Sequence, residues 1–199
     1  MKLDIEGTRR FHGHSCPGLT IGIRASELAL REIGPHAEDE EVVAIVETDN
    51  CSVDAIQYLT GCTFGKGNLI FRDFGKNAYT FIRRSDGKTI RITLRQDALS
   101  GPNAERDRLF KRVLAGEATE QEKARSRQLR DQQIEEMLAL PLEVMFDVQF
   151  LDVRMPEKAQ IHQSVNCSGC GEKVMETRVR LLQGKPYCIP CFEARERQI

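Results

Sequence analysis

Two C-x-x-C pairs near the C-terminus constrain the fold of this chain more than any other feature. The pairs are Cys167 with Cys170 and Cys188 with Cys191, and 17 residues separate them. This spacing is typical of a four-thiolate zinc site, because each pair forms a tight turn that directs both sulfurs at one ion. Four thiolates leave no open position for water or substrate, so the pattern predicts structural zinc in preference to catalytic zinc or a redox pair.

The sequence between the two pairs predicts a zinc ribbon. The segments METRVRLL and GKPY are typical of two short strands. A module of about 35 residues has too little core to fold alone, so zinc should supply much of its folding free energy. From Cys167 onward the ribbon carries six basic and four acidic side chains. This balance leaves open whether it contacts nucleic acid or a protein partner.

The remainder of the chain has the pattern of an α+β domain. Helices are expected at 19–33, 53–59, 105–114 and 119–140, and strands at 41–48, 68–74, 77–84, 88–95 and 144–153. The three strands between 68 and 95 alternate apolar with polar residues, so we expect an antiparallel sheet with one solvent-facing side. The predicted organisation is a core domain over residues 1–155, with a mainly antiparallel sheet packed with helices, and a linker with the four-cysteine zinc-binding domain over 156–199.

Charge and hydropathy narrow the class of protein. The formal net charge is -1 with 30% charged residues, so any nucleic-acid binding would have to be local. The first residues lack a secretory apolar core, and no apolar run approaches the roughly 20 residues that cross a bilayer. We therefore expect a cytoplasmic protein that does not enter the membrane, in which the cysteines serve metal or thiol chemistry. The helix beginning at Thr119 is so polar that it is either exposed to solvent or packed along a partner chain.

A second group of cysteines and histidines lies near the N-terminus. If residues 12–16 form an extended run, then His12, His14 and Cys16 face the same side, and these side chains suit zinc or a similar transition metal. Pro17 is typical of the first residue of a helix, which would place Cys16 at the N-cap. The alternative is a tight turn in which the histidines only hydrogen-bond the backbone.

Two further segments could contribute to the same site. Cys51 and Asp54 lie at a predicted strand-to-helix junction, where side chains gather at the edge of a sheet. Cys62 and Lys66 follow in a glycine-rich loop, in which Lys66 would favour an anionic cofactor or ligand. The loop does not have the usual phosphate-binding spacing, so it could also be a simple connection.

These segments together resemble the E-subunit family of formylmethanofuran dehydrogenase. The resemblance rests on HGHSCPGLTIG at 12–22, on DNCSVDAIQYLTGCTFGKGNL at 49–69, and on the terminal four-cysteine ribbon. It implies an α+β core with a separate zinc module, a homodimer, and an active or metal site formed by His12, His14 and the cysteines at 16, 51 and 62. It also implies a context of one-carbon metabolism, beside a molybdenum or tungsten dehydrogenase complex.

Two functions follow as hypotheses. In the first, the chain is a metal- or thiol-dependent enzyme or an accessory protein of an oxidoreductase. Cys16 would act as ligand or nucleophile and His14 as ligand or base, while Cys51 and Cys62 complete the site and Asp54 orients a ligand or handles a proton. In the second, the chain is a regulatory protein whose core responds to a metal or to redox state, and whose ribbon binds nucleic acid or a partner.

Overall fold

The chain divides into two units, Met1–Lys158 and Ala159–Ile199. The computed structural model describes residues 3–99 and 103–196. Within these ranges, no helix combines the length and the apolar character that a membrane span requires.

A five-stranded sheet forms the centre of the first unit. Its strands are β1 (Val42–Val46), β2 (Leu69–Phe71), β3 (Ala78–Arg83), β4 (Thr89–Leu94) and β5 (Phe146–Phe150). The order is β2-β1-β3-β4-β5, in which β1 and β2 are parallel and the other neighbours are antiparallel. The mainly antiparallel sheet is confirmed. The antiparallel orientation expected for β2 is wrong, because a helix connects β1 to β2 and returns the chain to the same end of the sheet.

Six helices accompany this sheet in the part of the unit that the structure describes. They are α1 (Ile5–His12), α2 (Pro17–Glu32), α3 (Ser52–Thr60), α4 (Ala104–Leu114), α5 (Glu120–Ala139) and α6 (Leu142–Met145). A capping box begins α5: Glu122 donates its backbone N–H to Thr119 Oγ1 at 3.2 Å, and Thr119 donates its own to Glu122 Oε2 at 2.9 Å. Helix α1 is absent from the sequence-based expectations, and the segment expected as one strand over 144–153 begins with the end of α6.

The main hydrophobic core lies between one face of the sheet and the helices α2, α3 and α5. Tyr79 and Phe81 of β3 are fully buried there with Leu28 of α2. The opposite face is buried as well, since Val43 and Ile82 are inaccessible to solvent and pack with Met155. The expected solvent-facing side is therefore wrong for β3, because Met155, in the chain that follows β5, covers it.

The second unit consists of two hairpins and a short helix. Its elements are β6 (Ser164–Asn166), β7 (Lys173–Met175), β8 (Val179–Leu182), β9 (Lys185–Cys188) and α7 (Ile189–Glu196). The predicted β8–β9 hairpin is confirmed, and its turn places Gln183 and Gly184 at positive φ, as a tight hairpin turn requires. Among the described residues of this unit, only Cys167 and Tyr187 are buried. So small a core cannot hold the hairpins together without further support.

Candidate metal centres

Three chain segments bring four potential metal ligands together in the first unit. The ligand atoms of His12, His14, Cys16 and Cys51 all lie within 4.8 Å of one another. His12 is the last residue of α1, Cys16 is the N-cap of α2, and Cys51 is the N-cap of α3. The expected extended run over 12–16 is wrong. The side chains converge because one helix ends and the next begins within a few residues.

Local backbone preferences explain this turn between helices. Gly13 ends α1 with φ +91°, a left-handed conformation that glycine adopts without strain, and its N–H donates to Arg9. Pro17 then begins α2, as predicted. The N–H of Leu19 donates to the Cys16 sulfur at 3.3 Å. The Cys16 sulfur therefore accepts a backbone hydrogen bond at the N-terminus of α2.

Two glycines of α2 allow Cys51 to approach this turn. A Cβ on Gly22 would lie 2.1 Å from the carbonyl oxygen of Ser52, so only glycine permits the close crossing of α2 and α3. A Cβ on Gly18 would lie 3.3 Å from the Cys51 Cβ and 3.9 Å from the sulfurs of Cys16 and Cys51. The motif CPGLTIG thus supplies Cys16 as one ligand, and its two glycines leave the space that Cys51 occupies.

A carboxylate fixes the orientation of the His12 ring. Its Nδ1 lies 2.7 Å from Asp54 Oδ2, and its side chain is only 9% exposed. A carboxylate on one ring nitrogen leaves the other nitrogen directed at the metal, as in many zinc sites. The Nε2 atom lies 3.9 Å from the Cys16 sulfur. A tetrahedral zinc ion separates nitrogen and sulfur ligands by about 3.5 Å, so the donor set fits such an ion in type and in spacing.

The remaining two ligands differ in their surroundings. Burial raises the pKa of the Cys51 thiol, and the neighbouring Cys16 adds to the rise. Cys51 is therefore a weak nucleophile unless a cation stabilises its thiolate. His14 is exposed, and its ring lies beside that of His12, with 4.3 Å between centroids and an angle of 39° between the planes. It is the ligand of this group that solvent or a substrate can reach most easily.

Two other predicted site residues lie apart from this group. The Cys62 side chain is fully buried in the main core, and its thiol donates to the carbonyl oxygen of Val42. Burial raises the pKa of this thiol to about 11, so it stays protonated at neutral pH. Lys66 donates its ammonium to the carbonyl oxygens of Ala37 and Glu38 and holds a loop together. The structure does not bring Cys62 and Lys66 together with the four ligands, because the loop that carries them follows α3 and leads away from its N-terminus.

Cavities open on two sides of the four ligands. The smaller, of about 420 Å³, is lined by His12, Cys51, Asp54 and the exposed Phe64 among others. The larger, of about 800 Å³, lies between His14, Cys16, Cys51 and the helices α4 and α5. Sequence reasoning missed the contribution of α4 and α5 to a site. Its signal was the spacing of Lys123, Arg127 and Arg130, which places three cations along one side of α5.

The second unit brings together the four C-terminal cysteines. Their sulfurs lie within 4.8 Å of one another, and those of Cys170 and Cys188 are 4.0 Å apart, close to the roughly 3.8 Å of a tetrahedral four-thiolate zinc site. Cys167 accepts backbone hydrogen bonds from Cys188 at 3.2 Å and from Gly169 at 3.3 Å. The backbone donors of Cys188 and Cys170 lower the pKa of Cys167 to about 6, which favours the thiolate that zinc binds.

Comparison with known proteins identifies both parts of the chain. Residues 163–197 match the prokaryotic dksA/traR C4-type zinc finger, which confirms the predicted four-cysteine zinc module. A solved structure, a tungsten formylmethanofuran dehydrogenase FmdE-like protein from Syntrophus aciditrophicus, matches with a TM-score of 0.65 over 96% of this chain and 90% of its own. Its sequence identity is 23%, so this likeness shows the fold.

A relative from Archaeoglobus fulgidus, named a probable S-adenosyl-L-methionine-binding protein, is 36% identical over 179 residues. The match covers 86% of this chain and 49% of the relative, so the chain spans about half of that protein's length. Residues 11–147 match the family model described as FmdE, Molybdenum formylmethanofuran dehydrogenase operon. That match covers more than half of the chain and contains the four converging ligands, and the protein therefore belongs to the FmdE family.

Proposed function

We propose that this protein is an accessory or stand-alone metal- and thiol-dependent protein of one-carbon metabolism, whose core centre uses a transition metal. The observation that carries the proposal is the convergence of His12, His14, Cys16 and Cys51 from three segments to within 4.8 Å. Two imidazoles and two thiols are borderline to soft ligands that suit zinc or a similar ion. The link to one-carbon metabolism comes from the family and from the name of the solved relative.

The residues of the centre take separate roles in this proposal. His12, Cys16 and Cys51 form the protected part of the ligand set, and Asp54 fixes the ring of His12 through its Nδ1. His14, the exposed ligand, either completes the set or leaves it to accept a proton from a substrate. A bound divalent ion supplies Lewis acidity at such a centre. The thiols require reducing conditions, which favours the cytoplasm.

We also propose that the protein acts as a homodimer, in the context of a molybdenum or tungsten dehydrogenase. Support for the dimer comes from β2, an edge strand, beside which Phe64, Phe71 and Phe74 are 78%, 45% and 58% exposed. Apolar patches on a sheet edge favour association. Light scattering should give a mass about twice the 22.6 kDa of one chain, and Phe74→Glu should shift the protein toward that single-chain mass.

The core metal is tested by metal content. Plasma mass spectrometry of the protein purified without chelators should find about two transition-metal ions per chain. Cys16→Ala should retain only the ion of the C-terminal unit, and Cys170→Ala should retain only that of the core. One ion per chain in both the unaltered protein and Cys16→Ala would remove the core centre from consideration.

A second candidate function is regulation by metal or redox state. It is favoured by the match of the C-terminal unit to the dksA/traR finger and by the proximity of the Cys16 and Cys51 thiols. In this case oxidation or metal loss at the core would change what the finger binds, either nucleic acid or a protein partner. A gel shift with duplex DNA at low salt, repeated after mild oxidation, tests the nucleic-acid form. Absence of a shift in both states would dispose of it.

A further inference from the structure

The larger cavity joins the sulfur ligands to the two helices that follow the sheet. At one end it is lined by His14, Cys16 and Cys51, and at the other by α4 and α5. Its volume of about 800 Å³ lies within the range of small-molecule sites. A ligand seated here would reach the core centre from its solvent-facing side.

Positive charge dominates the helical part of this cavity. Four cationic side chains and one acidic side chain line it: Arg106, Lys123, Arg127, Arg130 and Asp107. Three of the cations repeat at intervals of four and three residues along α5, so they share one side of the helix. Like charges at these intervals destabilise a helix unless an opposite charge offsets them.

The protein itself offsets only part of this charge. Lys123 pairs with Glu120 at 2.7 Å, and Arg106 lies 3.7 Å from Asp107. The Arg127 side chain makes no hydrogen bond or ion pair with any residue of the described part of the chain, although Glu120 is near enough to interact with it electrostatically. The fourth cation of the cavity, Arg130, is also incompletely satisfied.

Arg130 has a buried Nε that donates no hydrogen bond, although Asp131 Oδ1 lies 3.5 Å away. The Arg130 side chain as a whole is 43% exposed, so its guanidinium can reach an anion in the cavity while Asp131 stays beside the Nε. Guanidinium groups bind phosphate oxygens through paired hydrogen bonds.

Apolar side chains form another part of the wall. Phe110, which is 57% exposed, and Val113 line the cavity from α4. An exposed aromatic ring beside a group of cations is suited to a ligand that combines an apolar or aromatic body with an anionic group.

We propose that this cavity binds a phosphate-bearing small molecule with an aromatic or apolar body, of about the size of a nucleoside diphosphate. The phosphates lie on the cations of α5, the body packs on Phe110, and the other end reaches His14 and the two thiols. This inference deepens the proposed function, on which it rests for the role of the metal, by naming the class of ligand that the core centre serves.

Isothermal titration calorimetry of the full chain with ADP and with adenosine tests the proposal. At low salt ADP should bind more tightly than adenosine, and its affinity should fall as salt screens the cations. Arg127→Gln and Arg130→Gln should each weaken ADP binding about tenfold, the loss expected for one charged hydrogen bond. Circular dichroism shows that each variant is folded.

Lys111→Gln is the matched control, because Lys111 is exposed on α4 outside the cavity and carries the same charge. It should leave ADP affinity unchanged. Equal affinities for ADP and adenosine, no measurable ADP binding, or an equal loss in Lys111→Gln would each overturn the proposal.

Metal counting on the same preparations separates this proposal from the previous one. His12→Ala should lose the core ion but keep the preference for ADP over adenosine, because His12 does not line the larger cavity and the cations of α5 remain. Loss of that preference in His12→Ala but not in Arg127→Gln would assign ADP to the ion and overturn the cavity proposal. Two ions per chain without ADP binding would overturn the cavity proposal and leave the core metal centre supported. One ion per chain, with ADP binding that depends on Arg127, would overturn the core metal centre and leave the cavity proposal supported.

Discussion

The two cysteine clusters of this protein relate to folding in opposite ways. The C-terminal cluster lies in a unit with two buried residues among those described, so its hairpins have almost no other common support. The core cluster lies on a unit with a large hydrophobic core, and its ligands arrive at the ends of three helices. The C-terminal unit therefore needs its metal in order to fold, whereas the first unit positions its four candidate ligands through its own packing.

Removal of the zinc should therefore have its largest effect on the C-terminal unit. Structural zinc contributes roughly 10–16 kcal/mol in small zinc fingers, which exceeds what two short hairpins can supply. We expect Cys170→Ala, or a chelator, to collapse the amide resonances of Ala159–Ile199 toward random-coil shifts in a proton–nitrogen NMR spectrum. Resonances of the β1–β5 sheet should stay dispersed. If the C-terminal unit kept dispersed resonances without metal, it would not need metal to fold, and the two clusters would not differ in this respect.

The core cluster should instead fail when its scaffold is disturbed. Gly22→Ala would place a Cβ 2.1 Å from the Ser52 carbonyl oxygen and force α2 and α3 apart. Overpacking of this kind costs about 1–3 kcal/mol, which outweighs the gain of about 1 kcal/mol from replacing glycine inside a helix. We expect a lower Tm and loss of the core ion. Gly65→Ala is the control, because nothing lies within 4 Å of its added Cβ, and it should retain both ions.

Features determined by residues close together in the chain could be predicted from the sequence. The C-terminal site follows from cysteine spacing alone, and the N-cap position of Cys16 follows from the proline after it. Helix α1 escapes prediction because it is short and polar, although Asp4 accepts from the N–H of Gly7 at its start and Gly13 ends it. Its omission leads to the incorrect extended run, while the ligands themselves are still found.

Long-range placement is harder to predict. Nothing in the alternation of residues 68–74 indicates that β2 runs parallel to β1, so the direction of the glycine-rich loop is not evident from the sequence. Cys62 and Lys66 lie apart from the four ligands because they follow the C-terminus of α3, whereas Cys51 lies at its N-terminus. The cations of α5 could not be assigned to a cavity from the sequence, because the periodicity of a polar helix does not show what its polar side faces.

The hydrogen bond between Asp54 and His12 should strengthen metal binding at the core site, although the site should still form without it. Asp54→Asn keeps the shape of the side chain but removes the charge that orients the imidazole and strengthens it as a ligand. We expect core-metal affinity to fall about 10- to 100-fold, measured by competition with a chromophoric chelator. The C-terminal ion should be unaffected. Unchanged affinity would mean that His12 is not held to the metal through this contact.

The smallest effect should come from Cys62, the cysteine that resembles a ligand in sequence but lies in the core. Cys62→Ala removes a buried sulfur and its hydrogen bond to Val42, so the free energy of unfolding should fall by about 1 kcal/mol, as for a small buried truncation. Because its thiol has a pKa of about 11, it should also resist alkylation in the folded protein at neutral pH. The variant should still carry two ions, since its sulfur lies outside the group of His12, His14, Cys16 and Cys51. Loss of one ion in Cys62→Ala, with Tm nearly unchanged, would show that Cys62 is a fifth ligand of the core metal. The three helix ends would then not be sufficient to form the core site.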